Sequence, residues 1–122
     1  MSDELRSQVS AFLEQFKFIA EKGWSFIDRT KNLQFLTEIG LSIPQAKKII
    51  LGLSVIDYSS GPEADKGRHG YNIWTFNIQL DGQEIYIKLS DDFRGLQAKC
   101  VSFHKAEHPM KKPFLENDSH EK

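Results

Sequence analysis

The sequence predicts an α+β domain, helices first and a three-stranded antiparallel meander after them. Three observations carry this. Apolar residues recur at spacings of three and four through residues 4–53, the period of a helix with one buried side. Between residues 71 and 104 they alternate with polar ones, the period of a strand. Asp81-Gly82 sits between two of these alternating runs as a two-residue hairpin signal.

Leu5, Val9, Phe12, Phe16 and Ile19 predict an N-terminal amphipathic helix, residues 4–22, stopped by Gly23. Its apolar stripe must be covered by the domain itself, by a protein partner or by a second copy in a homodimer. Trp24-Ser25-Phe26-Ile27 is too short for periodicity to decide between strand and linker. Asp28 or Thr30 is placed to cap a second helix carrying Leu33, Leu36 and Ile39 and closed by Gly40. Ser42-Ile43-Pro44-Gln45 reads as a capping box opening a third helix, with Ala46, Ile49, Ile50 and Leu53 on its buried side. Residues 54–58 read as one further turn. Residues 59–70, with three glycines, a proline and four charges, read as a mobile loop.

In the strand run 71–80, Trp74, Phe76, Ile78 and Leu80 share one face, with Thr75, Asn77 and Gln79 on the other. In 84–89, Ile85, Ile87 and Leu89 lie opposite Tyr86 and Lys88. In 96–104, Val101 and Phe103 take the apolar face and leave Cys100, Ser102 and His104 opposite. The whole fits a single domain over residues 1–114, with 115–122 as a disordered acidic tail.

The 122 residues are 39% hydrophobic and 27% charged, an ordinary globular composition. No apolar run approaches the ~20 residues that span a bilayer. The acidic opening Met1-Ser2-Asp3-Glu4 lacks a signal-peptide core, and the lone Cys100 excludes an internal disulfide. These point to the cytoplasm. Net charge is −1, but residues 66–113 hold eight Lys/Arg against five Asp/Glu, a local excess that permits phosphate binding without specifying it.

If the last two strands pair, Thr75, Tyr86, Lys88, Ser102 and His104 gather on one sheet surface. Cleaving RNA without a metal needs a base for the 2′-hydroxyl, an acid for the leaving 5′-oxygen and a cation beside the phosphate. An imidazole, a phenol and an ammonium meet those needs. The same residues also suit the water-facing side of any one-sided sheet. His104-Lys105-Ala106-Glu107-His108 spells H-x-x-E-H, which serves zinc hydrolases when helical. Here it follows a β run and precedes Pro109, so a zinc reading is the lesser one. Lys66 and Arg68 in the 59–70 loop can bind a phosphodiester backbone or belong to a solvated connector. Cys100 reads as a small buried residue rather than a nucleophile.

Ile39-Gly40-Leu41, Ile49-Ile50-Leu51-Gly52-Leu53-Ser54, Asp57-Tyr58, Trp74, Ile85-Tyr86-Ile87-Lys88-Leu89 and Val101-Ser102-Phe103, taken in order and spacing, resemble the MqsR family of bacterial toxins. The resemblance spans residues 24–113. The run Cys100-Val101-Ser102-Phe103-His104-Lys105-Ala106-Glu107-His108-Pro109-Met110 resembles a divergent branch of that family. It implies a RelE-like fold with helices on one face of an antiparallel sheet. It also implies an mRNA-cleaving toxin that uses no cofactor or metal, is held by a cognate antitoxin and takes single-stranded RNA, on or off the ribosome. Tyr86 and Lys88 match family positions. His104 replaces a lysine, Ser60 a loop lysine and Thr75 a glutamine. The expected catalytic set is Tyr86, Lys88, His104 and Glu107, with Lys66, Arg68, Thr75 and Ser102 binding substrate. The rival expectation is a module that binds RNA, the ribosome or a protein without catalysis.

Overall fold

A computed structural model describes residues 2–115; the expected acidic tail, apart from Leu115, lies outside the described residues. Three α-helices, α1 (Ser2–Ala20), α2 (Thr30–Ile39) and α3 (Ile43–Leu51), accompany five strands. The strands are β1 (Trp24–Phe26), β2 (Tyr58–Ala64), β3 (Asn72–Leu80), β4 (Gln83–Ser90) and β5 (Ala98–Lys105), in the sheet order β1-β5-β4-β3-β2. The expected meander β3-β4-β5 is the centre of this sheet. It gains β1, parallel to β5, on one edge and β2, antiparallel to β3, on the other.

The helices bury their stripes in one core against Trp74, Phe76, Ile85, Ile87, Leu89 and Phe103. Val9 and Phe16 are fully buried, and Phe12 stacks on Trp74 with ring centroids 4.7 Å apart. The stripe of α1 is thus covered by its own sheet. Ser42 and Gln45 form the reciprocal capping box at α3. The cap of α2 differs from expectation: Arg29 holds the N-cap position with no side-chain bond to the helix. Extended backbone dihedrals suffice there, and the guanidinium remains free for other contacts.

The hairpin between β3 and β4 has positive φ at both central residues, Asp81 and Gly82, as a tight turn matched to strand twist requires. Two strand assignments are corrected. Residues 58–64 form β2 rather than a loop. An edge strand tolerates Pro62 because its outer side needs no ladder donor. Gly61 is required there, since a Cβ would stand 2.7 Å from the Ile73 carbonyl oxygen.

The second correction concerns β5. Lys88 pairs with Ser102 but Leu89 pairs with Cys100, so Val101 is an extra, bulged residue. Side-chain parity reverses across it. Cys100 therefore lies in the core, fully buried, while Val101 faces the open side. Asn32 of α2 supports the bulge. Its amide donates to the Ile27 and Val101 carbonyls and accepts from the Phe103 amide, tying β1, α2 and β5 together.

Candidate active site

The open sheet face is organised in two rows. Ser60, Thr75, Lys88 and Ser102 lie side by side on four neighbouring strands. In the next row Asn77, Tyr86 and His104 are aligned. Period-2 alternation in β3 and β4 supplies the common face, and the bulge delivers Ser102 and His104 to it. The ring centroids of Tyr86 and His104 are 5.2 Å apart, and the Lys88 ammonium lies 5.4 Å from the centre of the Tyr86 ring. The imidazole, phenol and ammonium thus converge. Thr75 and Ser102 are nearly buried beneath them, so they suit the floor of the site.

His104 is oriented by a bond between Nδ1 and its neighbour's carbonyl, 3.0 Å from the Lys105 oxygen. A carbonyl can only accept, which assigns the proton to Nδ1. Nε2 is then the nitrogen available to substrate. The chain leaving β5 folds back over this face. Asn77 donates to the Lys111 carbonyl, Lys112 pairs with Asp57, and Phe114 is buried beside Tyr58. This strap makes one wall of a cavity of about 600 Å³ that also includes Arg29, Lys31, Tyr86, Lys88 and His104. Glu107 and His108 belong to the same wall.

Glu107 is exposed and ion-paired with Lys31 at 2.5 Å. The hydrogen bond and charge of Lys31 hold its carboxyl below the usual carboxylate range. A carboxylate so stabilised is a weaker base. The H-x-x-E-H string is not helical: it runs out of β5 through a bend. Among the described residues no three His, Cys, Asp or Glu side chains gather as a metal site would need.

Lys66 and Arg68 do not reach the Tyr86–His104 row. They line a second cavity of about 950 Å³ with Arg29, Lys88 and Lys99. Arg68 is drawn toward Asp92, 3.4 Å away. Asp92 is buried, and Arg94 forks both its nitrogens onto the carboxylate at 2.9 Å. Those bonds place its acidity well below the ordinary carboxylate range despite desolvation. Cys100 plays no part in either cavity, and burial pushes its thiol strongly up.

Arg29, Lys31 and Lys99 are site cations the sequence reading missed. Each sits on a different element from the β3–β4 pair, so no local spacing links them to Tyr86.

No family model, curated protein or solved structure matches this chain. The site therefore rests on its own geometry. No helix among the described residues is long and apolar enough to cross a membrane.

Proposed function

We propose that the chain is a metal-independent endoribonuclease, the toxin of a toxin–antitoxin pair, acting in the cytoplasm on single-stranded mRNA. The observation that supports this best is the direct pairing of Tyr86 with His104 beside Lys88. The MqsR resemblance and a RelE-like reading of the helix-backed sheet point the same way. In this scheme His104 Nε2 takes the proton of the ribose 2′-hydroxyl. The 2′-oxygen attacks phosphorus, the bond to the 5′-oxygen breaks, and a proton is delivered to that oxygen. Lys88 neutralises charge on the phosphate, and Tyr86 stacks on the nucleotide or donates the leaving-group proton. The Lys31 ion pair assigns Glu107 to shaping the wall and the local field rather than to proton abstraction.

The experiment is purified protein with single-stranded RNA in EDTA. The expected products carry 2′,3′-cyclic phosphate or its hydrolysed form, and expression arrests growth. Intact RNA and normal growth would overturn the proposal. The second reading, a module that binds without cutting, draws on Ser60 and Thr75, uncharged residues flanking Lys88 in its row. It predicts RNA affinity unchanged in activity terms by His104→Ala, because there is no cleavage to lose.

A further inference from the structure

We propose that the larger cavity is a flanking-backbone site, in which Arg29, Lys66 and Lys99 hold phosphates adjacent to the one cleaved at Lys88. This rests on the ribonuclease reading of the Tyr86–His104 row. The two cavities share Arg29 and Lys88, so one chain can run through both without leaving the face. The larger one, at about 950 Å³, lies at the upper end of the range for small-molecule sites, roughly 300–1,000 Å³. It is lined by five cations, Arg29, Lys66, Arg68, Lys88 and Lys99, against two carboxylates, Glu63 and Asp65. Asp65 is turned to its own loop, accepting from the Gly67 amide.

The chemistry of the lining selects phosphate over base. Its apolar members are aliphatic, Ile27, Ala64, Ile73 and Val101, with no aromatic ring for stacking. Rings stand only in the adjoining cavity, at Tyr86 and His104. Contacts to phosphate position a strand and do not read its sequence. Among the described residues Arg29 and Lys66 pair with no carboxylate, so their charge is available to a ligand. Lys99 is held in place by donating to the Asp92 carbonyl at 2.6 Å, which fixes its stem along the groove wall.

The test compares cleavage of a dinucleotide with that of an RNA of about eight nucleotides, long enough to fill a groove of this kind. Wild-type protein should favour the longer RNA. In the double variant Arg29→Ala, Lys66→Ala, the ratio of kcat/KM for the long RNA to that for the dinucleotide should fall at least about tenfold. The slope of log affinity against log salt should fall by about two, one per lost phosphate contact. The Arg29 side chain makes no cap bond, and a thermal melt checks that the variant is folded. Cleavage with an unchanged ratio and slope overturns the flanking site and leaves the ribonuclease standing. A wild type that cuts nothing, yet loses salt-dependent affinity in the variant, overturns the ribonuclease and leaves the groove.

Discussion

Tyr86 and His104 occupy directly opposed positions on β4 and β5, their rings 5.2 Å apart and tilted by 33°. Opposed residues of an antiparallel pair are the closest side-chain neighbours a sheet provides. Tertiary folding is not needed to bring this pair together once the two strands register. On the ribonuclease reading, His104→Ala should lower the cleavage rate by about 10²–10⁴-fold, the range for loss of one general acid or base. RNA affinity, measured by filter binding, should change far less. Tyr86→Phe separates stacking from proton donation: a small loss assigns the ring, a large one the hydroxyl.

Asn32 should prove a structural keystone. Replacing it with Ala strands the Ile27 and Val101 carbonyls and the Phe103 amide, which it now satisfies. Each buried orphan costs about 1–3 kcal/mol, so urea unfolding should show a loss of at least about 3 kcal/mol. Activity should fall with it, because β5 carries His104 and Ser102.

Asp92 gives the protein an acid-sensitive joint. Its folded acidity lies below that of the unfolded chain, for which aspartate titrates near ~3.9. Its stabilising contribution is therefore complete above that value and lost as pH falls below it. Asp92→Asn should cost about 2 kcal/mol at neutral pH. The gap between wild type and variant should close progressively below about pH 4 in denaturation curves.

Cys100 should be inert in the native state. Buried in the core with its thiol held protonated, it should react with a disulfide reagent at pH 8 only as fast as the protein opens. Rapid labelling of folded protein would contradict its placement.

The Phe114 anchor links the strap to the core. Phe114→Ala should cost about 3–5 kcal/mol by the usual scale for a buried aromatic. It should also loosen the wall formed by residues 107–111, which limited proteolysis would detect as earlier cutting there.

Much of this architecture was written in local patterns. The Asp81-Gly82 turn, the Ser42–Gln45 box and the alternation of β4 are each specified within a few residues, so sequence alone placed Tyr86 and Lys88 on one face. β2 escaped because Gly61-Pro62 carries loop chemistry, and only its position at a sheet edge makes that compatible with a strand. The side of Cys100 was misjudged because the bulge at Val101 bears no glycine or other local mark. Arg29 and Lys31 escaped for another reason: they reach the site from α2, and such convergence is a property of packing, not of spacing.

The irregularity in β5 has a further effect on ligand handling. Lys99 and His104 are five positions apart, an odd interval that an unbroken strand would send to opposite sides. The inserted Val101 resets the count, so a phosphate anchor and a proton carrier from one short ribbon address the same strand of substrate. Excising that single residue would leave both side chains in the protein while divorcing grip from chemistry.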